Sequence, residues 1–354
     1  MHRLGAERHQ EVAAWDRRAR EKDATLFIEK VFIMPSSGAA ASACRACGSA
    51  AVRATHAASE TLFQMGGEFT YRECADCGSL SLANPPSDAA PYYPAHYYRH
   101  VEAGVSERLR PLVKAARVMY DRLVPVVSPL TGRWSIGLRG ATAADVRVLD
   151  IGCGSGRFLI RLRDLGLLDL TGVDPYATFD AIGRNGKSGS LRLLRGRTED
   201  LQGTFDAIMI NHTLEHVEDP CAELTAAKDR LAARGRIVVR VPVLGYAWRR
   251  YGRCWARFDA PRHFTLFSKR GLLDCAARVG LSIDSMTYDS DAYQFWASEG
   301  YMRGQSPKSQ GRMLTLRGLA QSLRRIPWNV RSWLLNVRHD GDQAAFVLRP
   351  AEPR

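Results

Sequence analysis

An α/β domain with a doubly wound, mostly parallel sheet is what the second half of this 354-residue chain predicts, and three observations carry the expectation. From Val146 onward short β-rich runs alternate with helical stretches, and a glycine-rich turn directly follows the first run. Hydrophobic residues make up 45% of the chain and charged residues 25%, which is enough apolar side chain for a sheet covered on both faces. Strand–helix alternation favours βαβ units, because parallel neighbours need a long crossover and the crossover helices then cover the sheet.

The runs VRVLDIG, LTGVD, LRLLRG, FDAIMIN and RIVVRVP read as strands with helical segments between them. A helix in GLLDCAARVG follows, then a strand in LSIDSMTYD and, much later, a strand in QAAFVLRP. These last two are expected to pair as an antiparallel hairpin around a helical insertion at about 290–341, before the last strand.

Four segments are expected along the chain. Residues 1–40 form an appendage, helical or disordered, that ends in a Pro-Ser-Ser-Gly break after Pro35. Residues 41–100 hold a cysteine module and a tyrosine-rich stretch, PYYPAHYY. Residues 101–140 form a helical connector, in which Leu109, Leu112, Val113, Ala116, Met119, Tyr120 and Leu123 recur at helical spacing. Residues 141–354 form the α/β domain.

No apolar run reaches the roughly 18 residues needed to cross a bilayer, and the N-terminal residues lack the apolar centre of a signal peptide. A cytoplasmic protein is expected. The net charge of +13 is concentrated: residues 301–340 hold eight Arg or Lys against the single acid Asp340. Arginine is used far more than lysine throughout, so the global charge is discounted as a functional signal. Within the insertion Met313, Leu316, Leu319, Leu323 and Ile326 share one helical face before Pro327, with Trp328, Trp333, Leu334 and Val337 beyond. A lid or dimer helix is the favoured reading of this stretch, and peripheral membrane contact through 311–338 the alternative.

Four of the eight cysteines form two pairs, Cys44-x2-Cys47 and Cys74-x2-Cys77, separated by 26 residues and each followed by glycine. Two such knuckles can deliver four thiolates tetrahedrally to Zn²⁺, a closed set that makes the ion structural. It would supply folding free energy to a module too small for its own core. Two disulfides or four packed cysteines are the alternatives. Cys153, Cys221, Cys254 and Cys275 have no ligand spacing and read as packing residues. Between Cys44 and Cys77 the basic residues Arg45, Arg53 and Arg72 face Glu60, Glu68, Glu73 and Asp76, so the module lacks the basic stripe of a nucleic-acid binder.

The segment Asp150-Ile-Gly152-Cys-Gly154-Ser-Gly156 ends a strand and enters a helix. Glycines at such a turn let the backbone approach a ligand closely. Arg157 stands where the dinucleotide fingerprint needs its last glycine, so another nucleoside is favoured. The DxGxGxG pattern resembles motif I of class I S-adenosylmethionine-dependent methyltransferases, whose fold is Rossmann-like. That resemblance implies a cofactor site of Asp150, Gly152, Gly154 and Gly156. Asp174, ending the next strand, would accept from the ribose hydroxyls. Thr198 and Glu199 would lie near the adenine, and Asn211 and His212 beside the methionine moiety.

The cysteine module, the PYYPAHYY stretch and this core together resemble the zinc-containing sugar methyltransferases. The resemblance implies methyl transfer to a saccharide or nucleotide-linked sugar in a polysaccharide or natural-product pathway, with oxygen the preferred target. In those enzymes an N-terminal tyrosine reaches the substrate, which makes Tyr92, Tyr93, Tyr97 and Tyr98 candidates. An acceptor proton needs a base, and histidine titrates in the right range. His212, His216 and His263 are the candidates, with His263 favoured because PRHFTLFS resembles the sugar enzymes' Glu-His segment. Arg262 replaces that glutamate and is expected to recruit an anionic group. A lipid or quinone methyltransferase at a membrane surface is the first alternative, and a noncatalytic scaffold with the cofactor fold the second. Nucleic acid is the least favoured partner, since NHTLEHV lacks the Asn/Asp-Pro-Pro-aromatic motif of base methylation.

Overall fold

The computed structural model describes residues 43–93, 146–164, 167, 169–176, 184–185, 190–306 and 325–352. The expected appendage (1–40), the connector helix (101–140), Tyr97, Tyr98 and the insertion residues from Met313 to Leu323 lie outside them. Residues 43–85 and the α/β domain share one compact unit, while residues 86–93 belong to another. In that second unit Ala90–Tyr92 form a single 3-10 turn.

The first unit opens with β1 (Val52–Glu60), β2 (Gly66–Cys74) and β3 (Leu80–Leu82), an antiparallel meander between and after the CxxC knuckles. The α/β domain follows as β4 (Arg147–Ile151), α1 (Arg157–Asp164), β5 (Asp169–Val173), β6 (Arg184–Asn185), β7 (Ser190–Leu194) and β8 (Phe205–Asn211). Then come α2 (Pro220–Asp229), β9 (Leu231–Pro242), α3 (Tyr246–Tyr251), β10 (Thr265–Leu266), α4 (Lys269–Arg278) and β11 (Leu281–Tyr288). The described part ends with α5 (Tyr293–Met302), α6 (Ile326–Val337) and β12 (Gln343–Pro350).

Eight strands form the large sheet in the order β11-β12-β9-β8-β4-β5-β7-β6. The five runs read as strands form its parallel centre, and β11 and β12 pair antiparallel as expected. Alternation along β8 shows why both faces are covered: Ala207 and Met209 enter one core with Val148, Leu159 and Leu170, while Ile208 and Ile210 enter another with Leu149, Ile151 and Val239. Local chemistry starts the helices. Asp219 caps α2 by accepting from the backbone N–H groups of Cys221 and Ala222, and Ser268 caps α4 by accepting from Gly271.

A small sheet of order β1-β2-β3-β10 was not foreseen. Its last strand comes from the α/β domain and begins two residues after His263, so the cysteine module is stitched to the segment that carries that histidine. Pro327 sits in the first turn of α6, a position where its missing N–H costs nothing. No helix among the described residues is long and apolar enough to cross a membrane.

Candidate active site

The glycine turn joins β4 to α1 at the carboxyl end of the sheet, where ligands of open α/β folds bind. Gly152 and Gly154 have φ of 70° and 51°, the left-handed region that L-side chains avoid. A Cβ on Gly152 would run into the Thr213 side chain, whereas one on Gly154 would meet nothing within 4 Å. The backbone at Gly154 is therefore open to a ligand. Asp174, just past β5, is 6% exposed and accepts from the Gly154 N–H at 2.9 Å and the Tyr176 N–H at 2.8 Å. Each of its oxygens keeps a lone pair.

Asp150 is buried, and burial pushes its carboxyl up to about 8. Burial raises Asp174 as well. At the end of β8 the buried Asn211 amide lies against the Asp150 carboxyl, and its oxygen has no hydrogen-bond partner among the described residues. An unpartnered buried acceptor beside an open glycine turn and a buried carboxyl is what an aminoacyl nucleoside would satisfy, so these residues fit S-adenosylmethionine. Thr198 and Glu199 are placed differently: the Thr198 hydroxyl donates to Glu223 at 2.7 Å, and Glu199 is exposed.

The three histidines converge, but not equally. His212 has a positive φ of 51°, a strained backbone for a residue with a side chain. Its Nε2 accepts from Arg240 at 2.9 Å, which leaves Nδ1 to donate to Glu215 at 3.2 Å. Both ring nitrogens are thus committed, and desolvation with the Arg240 charge holds its pKa well below the usual value. His216 and His263 meet edge to face with ring centroids 4.6 Å apart. Each donates from Nδ1 to a backbone carbonyl at 3.0 Å, His216 to Arg262 and His263 to Arg257. Desolvation lowers both, His263 to about 3, so both rings are neutral at physiological pH. Glu215, 1% exposed, is pushed up to about 8 by its burial.

Arg262 corrects an expectation. Its guanidinium has no exposed surface and is taken by two acids of the protein, Asp259 and Glu60. No charge is left over to recruit an anion from outside. Glu60 ends β1 of the cysteine module and also accepts from the backbone N–H groups of Phe63 and Met65. The module grips this segment twice more: the Tyr71 hydroxyl donates to the His263 carbonyl at 2.8 Å, and the Leu82 N–H to that of Phe264 at 2.9 Å.

In the module itself the sulfurs of Cys44, Cys47, Cys74 and Cys77 all lie within 4.8 Å of one another. Tetrahedral zinc with bonds of about 2.3 Å separates its sulfurs by roughly 3.8 Å. Two of the sulfur–sulfur distances, 3.6 Å for Cys44–Cys77 and 3.5 Å for Cys47–Cys74, fall just short of that separation. All eight cysteines are free thiols, so the disulfide alternative falls.

Reasoning from sequence missed Glu215, Asp259 and Glu60. Glu215 stood inside the quoted NHTLEHV and could have been found from its position between two histidines. Glu60 had no local signal at all; only a contact spanning 202 residues reveals it.

Residues 109–286, half of the chain, match the family described as a methyltransferase domain. The tRNA U34 carboxymethyltransferase of Psychromonas ingrahamii is 31% identical over 133 residues, a match covering 36% of this chain and 37% of that protein. That of Alteromonas mediterranea is 32% identical over 136 residues, covering 35% and 37%. The chain thus spans little more than a third of the length of these curated relatives. Among solved structures, a SAM-dependent methyltransferase from Archaeoglobus fulgidus superposes with a TM-score of 0.38 at 19% identity, covering 71% of this chain and 99% of that one. With the family match spanning the glycine turn, Asp174 and the histidine cluster, this chain belongs to the methyltransferase-domain family and carries an S-adenosylmethionine-dependent methyltransferase domain.

Proposed function

We propose that this chain methylates a hydroxyl group of a small acceptor, a saccharide or nucleotide-linked sugar, and that zinc held by Cys44, Cys47, Cys74 and Cys77 maintains the module against which the acceptor pocket is built. The observation that carries the reading is the pairing of half-buried His216 with buried His263. With both Nδ1–H groups donating to backbone carbonyls, the lone pair of each neutral ring lies on Nε2. Such a pair can accept a hydrogen bond from an acceptor hydroxyl and orient its oxygen, and positioning is most of what an in-line methyl transfer requires.

Bound S-adenosylmethionine supplies the electrophilic methyl group. Asp150, Gly152, Gly154, Asp174 and Asn211 would hold it, and His212 steadies Glu215 beside the histidine pair. Thr198 and Glu199 remain the candidates for the adenine side of the pocket.

A small acceptor is favoured over RNA by where the module's arginines go. Arg45 donates to the Glu218 carbonyl at 2.6 Å, and Arg53 is ion-paired with Glu73 at 3.1 Å, so neither offers its charge to a phosphate backbone. The curated relatives nonetheless act on tRNA by name, which makes an RNA hydroxyl the second reading. Radiolabelled methyl transfer to a panel of nucleotide sugars and to bulk tRNA separates the two. Label in the sugars and none in tRNA is expected; label in tRNA alone overturns the proposal.

A further inference from the structure

Glu215, His216 and His263 each present one ligand atom within 4.8 Å of the others, and all three lie in the interior or at its edge. The three come from two segments held together by the backbone. The Phe264 N–H donates to the Glu215 carbonyl at 2.8 Å, and His216 donates to the carbonyl of Arg262. The cluster is therefore built by the fold rather than gathered by chance rotamers.

Its second layer has the form that metal ligands require. Both imidazoles are anchored through Nδ1–H to main-chain carbonyls, which sets ring orientation and turns the Nε2 lone pairs to account as donors to a cation. Glu215 Oε1 is fixed by His212, itself held by Arg240. The other oxygen, Oε2, is buried and has no hydrogen-bond partner among the described residues. A buried carboxyl oxygen without a hydrogen-bond partner is costly, and a cation is a partner that would satisfy it.

We propose that Glu215, His216 and His263 form a second metal site, distinct from the four cysteines, which takes a divalent first-row transition ion through two imidazole nitrogens and one carboxylate oxygen. Two nitrogens and an oxygen suit zinc, iron, cobalt or manganese and discriminate against calcium and magnesium. Three protein ligands leave coordination positions open, the arrangement of a catalytic rather than a structural site. The inference deepens the reading of this pocket as the acceptor site and rests on it: with the ion bound, the two Nε2 lone pairs hold the metal, and the acceptor oxygen takes an open coordination position in place of a direct imidazole hydrogen bond.

The test is cobalt(II) titration of the full chain after chelator treatment, followed by absorption spectroscopy, with S-adenosylmethionine binding measured by calorimetry on the same preparation. A four-thiolate site gives intense sulfur-to-cobalt charge-transfer bands; a site of nitrogen and oxygen gives only weak visible bands. Two equivalents are expected, one with thiolate bands and one without. His263→Ala and Glu215→Gln should each weaken the second equivalent at least about tenfold and leave the thiolate bands intact. Those bands report folding of the module, so a variant that loses both signals is replaced by His216→Asn. Saturation of the wild-type chain at one equivalent, all of it thiolate-bound, overturns the second site whatever the variants do. Cofactor binding with a single cobalt would sink the metal site and leave the methyltransferase reading standing. Two cobalts without transfer to any sugar would support the site while removing the sugar.

Discussion

The guanidinium of Arg262 donates to the carboxylate of Glu60 at 2.6 Å, and neither side chain has any exposed surface. One residue belongs to the first strand of the cysteine module and the other immediately precedes His263. A buried ion pair therefore fixes the module to the acceptor pocket. Charge removed from water is costly unless fully paired, and Arg262 meets that demand with Asp259 on its other side.

Truncating one partner leaves the other charge buried and uncompensated. Glu60→Ala is expected to lower unfolding free energy by about 3–5 kcal/mol in urea titration. Glu60→Gln, which keeps a hydrogen-bond acceptor at the same place, should lose less than Glu60→Ala. Equal losses for the two would show that the charge is immaterial there.

Tyr71 reaches the carbonyl of His263 from the module's second strand. Tyr71→Phe removes that hydrogen bond at constant shape and should cost about 1 kcal/mol of stability. Because it shifts the histidine's backbone and leaves the glycine turn alone, methyl transfer should fall while calorimetric S-adenosylmethionine affinity stays unchanged.

Zinc removal should act through the same coupling. Cys77→Ser is expected to cost the chain the module's zinc, as measured by elemental analysis, and to abolish transfer. Cofactor binding should survive, since Gly152, Gly154 and Asp174 stand on the other sheet, one of whose two cores contains no residue of the module. Loss of cofactor binding together with zinc would contradict this division.

A side chain at position 152 meets two obstacles, the left-handed backbone and the Thr213 side chain. Gly152→Ala is expected to lower unfolding free energy by about 1–3 kcal/mol, the cost of left-handed backbone at a non-glycine residue, and to weaken S-adenosylmethionine binding by displacing the turn. Urea titration reads the first and calorimetry the second.

Asp150 makes the ligand-free protein sensitive to alkali. Its carboxyl titrates near 3.8 in the unfolded chain and near 8 when folded, because burial disfavours the charged form. The folded chain thus holds a proton that the unfolded chain has released. The associated stability is complete below pH 3.8 and declines as pH rises through about 8. Asp150→Asn, neutral throughout, should raise the thermal midpoint relative to wild type more at about pH 8.5 than at about pH 5. An equal difference at both pH values would refute the assignment.

Much of the fold was legible because it is written in local patterns. The five parallel strands are short runs of Val, Ile and Leu between turn residues, and period and length identify them without any contact information. The cofactor end of the pocket was readable for the same reason. Gly152 and Gly154 announce a backbone conformation that other residues avoid, and Asp174 ends the neighbouring strand. The acceptor end was only half visible. His216 and His263 could be named as candidates, but their mutual distance depends on how the strand-end turn after β8 meets the segment before β10.

By itself, then, the amino-acid order determined the parallel sheet, the glycine turn and the two CxxC knuckles, since each is a pattern within about ten residues governed by backbone sterics or ligand spacing. Only the tertiary structure decided that Arg262 is satisfied by Glu60, that Glu215 stands between histidines, and that β10 completes the module's sheet. Burial is the physical reason. A charge or carboxyl has one meaning in water and another in the interior, and which of the two applies is set by residues up to 202 positions away.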